Sequence, residues 1–159
     1  AIPGGFTSRT TLSLLRARRT DPNTGELARA PFDVSSSATT IVEKMFGGVR
    51  AAVAWRQATG RAYTDIVGAD YDALEDRYIP RYGTPFGERL PAFRRLDVSA
   101  SWYRVLSPHW RSVLFVSVNN ILDRSNVQTM TWSRDYSERI PVRSIFNRSV
   151  YFGGTLIRQ

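Results

Sequence analysis

Cysteine is absent from all 159 residues, so neither a disulfide framework nor a thiolate-held metal can form. Lysine is almost absent as well: Lys44 stands alone against 21 arginines. Histidine occurs once, as His109, which cannot build a histidine metal site or a charge-relay pair without partners. No apolar run approaches the roughly 20 residues that a membrane helix needs. No charged segment followed by an apolar stretch opens the chain, so no signal peptide is read. The first residues, Ala1-Ile2-Pro3, lack a methionine, and an excised or mature segment is expected. G-x-S-x-G, H-E-x-x-H, the P-loop and G-x-G-x-x-G are all missing. The sequence therefore nominates no catalytic residue, no metal and no cofactor, and an enzyme is not expected.

What is present is charge of one sign and a simple alternation. Net charge is +8. Arginine is a planar fork suited to phosphate and carboxylate, so a surface facing nucleic acid or lipopolysaccharide is one reading. The arginines are scattered, without an aromatic and basic RNA-binding motif, and a GC-rich coding sequence produces the same bias. Hydrophobic residues at 42% and charged residues at 23% are ordinary for a folded chain.

Leu96-Asp97-Val98-Ser99-Ala100-Ser101-Trp102-Tyr103 alternates strictly between apolar and polar. In a strand, Leu96, Val98, Ala100 and Trp102 then share one face, and Asp97, Ser99, Ser101 and Tyr103 the other. The same period recurs along the chain and predicts six long strands, near 5–19, 32–46, 49–62, 93–105, 111–122 and 143–157. Val49, Ala51, Val53 and Trp55 oppose Arg50, Ala52, Ala54 and Arg56; Leu114, Val116 and Val118 oppose Ser117 and Asn119. Gly47-Gly48 and Ser107-Pro108 mark short turns, while 20–31, 63–92 and 123–142 are long and polar. Because the two lengths alternate, an up-and-down sheet would place short turns at one end and long loops at the other. That asymmetry belongs to outer-membrane barrels. Strands longer than the usual five or six residues suit a tilted bilayer crossing. Trp102, Tyr103 and Trp110 gather beside one short turn, where an interfacial belt would sit.

Several segments resemble one family. Glu88-Arg89-Leu90-Pro91-Ala92-Phe93-Arg94-Arg95-Leu96-Asp97-Val98-Ser99 is similar to the R-x-P-x-aromatic-x-R-L-D-aliphatic-S segment near the C-terminus of TonB-dependent outer-membrane receptors. Val116-Ser117-Val118-Asn119-Asn120-Ile121-Leu122-Asp123-Arg124 resembles the V-x-N-L-F-D-R strand that follows it. Ala58-Thr59-Gly60-Arg61-Ala62-Tyr63-Thr64 is similar to the S-G-R-P-Y-T strand end, and Ala17-Arg18-Arg19 with Ala30-Pro31-Phe32-Asp33-Val34 fits the preceding hairpin. The resemblance implies the last six strands of a transmembrane barrel of about 22. It implies an N-terminal plug that is missing here and through which alone the TonB system would act. Implied partners are outer-membrane lipid, lipopolysaccharide, the remaining strands and the plug, with no nucleic acid. The chain ends Leu156-Ile157-Arg158-Gln159, where family members end in an aromatic residue.

Six strands leave two unpaired edges, whereas bacterial barrels begin at eight. The expectation is therefore one all-β, antiparallel, up-and-down barrel portion over 1–159, a fragment of the wall of a solute-uptake receptor. A further hairpin in 63–92 would pair Asp65-Ile66-Val67 with Tyr78-Ile79. Lipid-facing candidates are Val53, Trp55, Val98, Ala100, Trp102, Val116 and Val118. Lumen-facing candidates are Arg50, Arg56, Asp97, Ser99, Ser101 and Asn119, with Asp97 and the arginines free to pair. Asp70, Asp72, Glu75 and Asp76 are an acidic group read as a solvated loop or as oxygens for a hard cation. The competing readings are a small self-contained membrane barrel, structural or pore-forming, and a soluble basic β-domain that binds nucleic acid.

Overall fold

The structure is a computed structural model that describes residues 5–20, 22, 25–31 and 33–158. The expectations for Asp21, Asn23, Thr24, Phe32 and the residues at either end lie outside these. The described residues form fourteen strands and no helix. Six are long: β1 (Phe6–Leu14), β4 (Ser36–Phe46), β5 (Val49–Ala58), β10 (Phe93–Ser107), β11 (Trp110–Asn119) and β14 (Ser149–Arg158). Eight are short: β2 (Arg18–Thr20), β3 (Leu27–Arg29), β6 (Ala62–Tyr63), β7 (Ile66–Asp72), β8 (Arg77–Tyr82), β9 (Glu88–Arg89), β12 (Val127–Trp132) and β13 (Arg139–Arg143).

The long strands make one sheet in the order β1-β4-β5-β10-β11-β14, each antiparallel to its neighbours. This is a meander in chain order, as alternating turns and loops dictate. It is not closed into a barrel: β1 pairs only with β4, and β14 only with β11. The short strands form four two-stranded ladders, β2-β3, β6-β9, β7-β8 and β12-β13. All four lie in the long connections, which are thus folded-back hairpins and not plain loops. The hairpin expected in 63–92 is present, but in another register: Ile66 faces Tyr82, and Ile79 faces Asp70.

Short turns meet at one end. Gly47 adopts φ 58°, open to glycine without strain. The next residue binds across the sheet, where the Tyr103 amide donates to the Gly48 carbonyl at 2.9 Å. Long connections meet at the other end: Arg61 Nη2 donates to the Gln128 carbonyl at 2.7 Å, and Arg29 Nη1 to the Gly87 carbonyl at 2.9 Å.

Almost no hydrophobic core exists. Among the described residues only Ala62 and Leu90 are buried apolar side chains, and no large side chain is fully enclosed. The accessible surface is 11385 Å². A compact monomer of this mass would expose about 8,000 Å². The excess follows from architecture, since a single sheet has no second layer to bury its faces.

Backbone packing is tightest where the long connection leaves β5. A Cβ on Gly60 would lie 1.7 Å from the Leu90 carbonyl oxygen, and backbone cannot yield as a side chain can. Gly60→Ala is expected to destabilise the fold by about 3 kcal/mol, the upper end of overpacking costs. Denaturant unfolding in detergent reads this, and a loss near zero would refute the close approach.

Candidate functional site

The sheet's two faces are the feature of this molecule with chemical character. Directly opposed residues on neighbouring strands share a face. Val42, Val53, Val98, Val118 and Val150 are opposed in succession across five strands and form one continuous row. The next row runs Lys44, Ala51, Ala100, Val116, Phe152, and the next Phe46, Val49, Trp102, Leu114, Gly154. Trp55 stands beside Thr40 and Leu96 on the same face. All seven apolar candidates, Val53, Trp55, Val98, Ala100, Trp102, Val116 and Val118, therefore lie on one side. That side is open, with Val53 and Val116 each 43% exposed and Phe152 83%.

Charge on the apolar face stands toward the strand ends. At the short-turn end each cation lies over a ring: Lys44 over Phe6 and Phe46 at 4.4 and 5.0 Å, Arg104 over Trp102 at 5.4 Å, and Arg158 over Trp110 at 6.0 Å. Such pairs combine ring electrostatics with an amphipathic edge. On β10 the charged residues of this face are Arg94 and Arg104, with Leu96, Val98, Ala100 and Trp102 between them. At about 3.3 Å per residue that window is about 33 Å along the strand.

On the opposite face, Arg50, Arg56, Asp97, Ser99, Ser101 and Asn119 come together with Glu43 and Arg95. Arg56 Nη1 donates to Asp97 Oδ2 at 2.9 Å, and Arg95 Nε to Asp97 Oδ1 at 2.6 Å. The Asn120 amide adds a third bond to Oδ1 at 2.8 Å. Asp97 is 7% exposed, so these partners are what permits its charge. Arg50 pairs with Glu43, through Nε at 3.1 Å. Ser101 is directly opposite Arg50, and Ser99 opposite Ser117. Ser117 Oγ donates to Asn119 Oδ1 at 3.4 Å. The face is less polar toward β14, where Phe115, Tyr151 and Ile157 are exposed. Gly153 makes room there, since a Cβ would lie 2.8 Å from the Phe115 ring.

Where β11 ends, Asn120 takes φ 52° and Asp123 φ 51°, both tolerated by these short polar side chains. Asn120 Oδ1 accepts from the Arg124 amide and Nδ2 donates to its carbonyl, each at 3.1 Å. Asn126 does the same to Arg94, at 3.0 Å in both directions, so a side chain replaces a strand neighbour at the end of β10. Neither Asn126 nor the Glu43 and Arg95 partnerships were marked by the sequence reading. The Arg95-Leu96-Asp97 spacing places its charges on one face and would have signalled the second.

The acidic group in β7-β8 is engaged internally. Asp70 lies 3.7 Å from Arg81, Glu75 2.6 Å from Arg77, and Asp76 accepts from the Tyr71 hydroxyl at 2.6 Å. Asp72 Oδ1 accepts the Leu74 and Glu75 amides. That bond to Asp76 raises the Tyr71 phenol above its ordinary value. The His109 amide donates to Ser107 Oγ in the short turn. No protein-family model, curated protein or solved structure matches the chain.

Two outcomes follow. Asp97→Asn leaves Arg56 and Arg95 without their counter-ion and is expected to cost about 2 kcal/mol, against less than about 1 for Glu43→Gln in the exposed pair. Unfolding midpoints of the two variants decide this, and equal losses would contradict it. Asp135 accepts from the Ser133 and Ser137 hydroxyls, which lower its carboxyl from 3.8 to about 2. Its contribution to the 133–138 turn is therefore present above pH 3.8 and lost as pH falls through about 2. A carboxyl resonance of Asp135 titrating near its ordinary value would show that the turn does not hold it.

Proposed function

We propose that this chain is part of the wall of a bacterial outer-membrane receptor barrel, related to TonB-dependent receptors, that takes up a scarce solute. Its task is to separate lipid from a wet lumen and to carry external connections. Binding and gated passage, not catalysis, is the mechanism. The observation that carries this reading is the window on β10 between Arg94 and Arg104. Tilted by about 40°, its 33 Å span about 25 Å along the membrane normal, the height of the apolar band on such barrels. Lys44, Arg104 and Arg158 over aromatic rings suit one membrane–water boundary, where amphipathic side chains gather.

Three further features support it. The rows of Val, Ala, Trp and Phe are open to solvent, and lipid would cover them without a second protein layer. The opposite face pairs Asp97 with Arg56 and Arg95 and Arg50 with Glu43, a charged surface suited to a lumen. Short turns at one end and folded hairpins at the other match the periplasmic and external ends of these barrels. Six strands are too few to close, so the remaining strands and a plug are the partners that complete the wall.

Val98 and Ser99 are neighbours on opposite faces of β10, which makes them a matched pair. Val98→Arg at the lipid face is expected to cost roughly 2–4 kcal/mol of membrane folding, and Ser99→Arg much less. Folded fraction in lipid vesicles, read by heat-modifiable electrophoretic mobility, measures both. Equal effects would contradict the assignment of faces. A monodisperse monomer without detergent, unfolding in one cooperative step in urea, would overturn the membrane reading altogether.

A further inference from the structure

Where β2 pairs with β3, Arg18 stands directly opposite Arg29. Like charges in that position repel and weaken a ladder. A three-residue ladder has little else to hold it. The same two arginines, with Arg16 and Arg89, line a concavity of about 360 Å³ that also contains Asp33 and Ser35. Four guanidiniums against one carboxylate leave three positive charges in excess.

These arginines are not equivalent. Arg89 spends both terminal nitrogens on the fold: Nη1 donates to the carbonyls of Asp33 and Gly60, and Nη2 to Asp33 Oδ2 and Ser35 Oγ. Asp33 is thereby used as the counter-ion of Arg89. Arg29 spends only Nη1, on the Gly87 carbonyl. Arg16 and Arg18 have no hydrogen-bond or ion-pair partner among the described residues. Three forks thus retain free donors around one hollow, beside a structural pair that fixes its floor. An adjoining concavity of about 540 Å³ shares Arg18 and Arg29 and adds Leu27, Val67 and Phe86, together with two carboxylates, Glu88 and Asp65, the latter already paired with Arg139 at 3.2 Å.

We infer that Arg16, Arg18 and Arg29 form a binding site for a phosphoryl oxyanion. A phosphoryl group offers three acceptor oxygens and up to two negative charges, which guanidinium forks match two bonds at a time. Bound there, it removes the Arg18–Arg29 repulsion, so the ligand and the β2-β3 hairpin stabilise each other. The apolar side of the adjoining hollow accommodates an organic body attached to the phosphoryl group. This holds whether or not the sheet faces lipid, because the site is built only from the connections 15–35 and 63–92.

The test is calorimetric titration of the full chain, held in neutral detergent, with sodium pyrophosphate. Binding is expected below about 1 mM, weakened about tenfold or more by Arg18→Gln or Arg29→Gln. Arg111→Gln, on the sheet, should leave it within about twofold. Arg18→Lys keeps the charge and loses the fork, and an intermediate loss is expected. Circular dichroism and heat-modifiable mobility confirm that each variant folds. Short-chain phosphatidic acid in the same micelles identifies the source: displacement of pyrophosphate one for one assigns the site to a lipid headgroup, and no displacement to a soluble phosphate. No binding of pyrophosphate by the folded chain at about 5 mM overturns the proposal. Equal weakening by Arg18→Gln and Arg111→Gln also overturns it, since diffuse positive charge would then be the cause. Neither result bears on detergent dependence, which tests the wall separately.

Discussion

The backbone ladder centred on β10 is the interaction on which everything else rests. β10 binds β5 on one side and β11 on the other, and its fifteen residues are the longest strand of the sheet. No second layer packs on it, so the ladder does what a core does elsewhere. In water each such bond contributes only about 0.5–1.5 kcal/mol net, because water competes for both groups. In hydrocarbon an unpaired group costs several kcal/mol, and the same ladder becomes far more binding. Register then carries a heavy consequence. A slip of one residue between β5 and β10 would send Arg50 and Arg56 to the side of Val98 and bring Val53 beside Asp97.

That register is held by side chains at the ends of the ladder. Asp97 gathers Arg56 from β5, Arg95 from its own strand and the Asn120 amide beyond β11. One carboxylate therefore pins three successive elements at one level. Asn126 extends the same end by satisfying both backbone groups of Arg94. At the opposite end the Gly48 carbonyl accepts from Tyr103, and the bulge between Val105 and Ser107 lets β10 turn into β11.

Legibility in the sequence followed physical period. The six long strands, the residues that share each face and the ends at which the turns lie were readable, because a strand with one apolar and one polar face carries a two-residue repeat that no tertiary contact is needed to see. Strand limits were less so. The stretch 5–19 breaks at Leu15–Ala17, and 143–157 begins only at Ser149, because polar hairpins grow from both and carry no apolar repeat. The ladders β2-β3, β6-β9 and β12-β13 were missed for that reason. Ion pairs were half legible: Arg56 with Asp97 follows from the shared face, but Arg50 finds Glu43 on the other side of the hairpin, a choice that depends on register. Asn126 was invisible, since its partner lies 32 residues away and a lone asparagine reads as a turn.

The bias toward arginine has a structural use at particular places, whatever its origin in codon usage. Arg29, Arg61 and Arg89 each donate to a backbone carbonyl of another connection, at Gly87, Gln128 and Asp33, while Arg89 also serves Gly60 and Arg143 serves Ser125 within their own. Arg139 bridges the Tyr63 hydroxyl and Asp65. The Tyr63 oxygen above all, and then Asp65, favour its charged form. Irregular connections carry carbonyls that no ladder satisfies, and a fork with five donors can serve two or three at once while a lysine ammonium is a compact point charge. The long-connection end is thus knitted by guanidiniums in place of a core. The three long connections, 15–35, 59–92 and 120–148, carry 13 arginines and 12 carboxylates, so their charge is nearly balanced as a whole and uneven only in places. Around Arg16 and Arg18, which have no carboxylate partner among the described residues, the hollow they share with Arg29 is one such place, where an anion from outside the chain has something to stabilise.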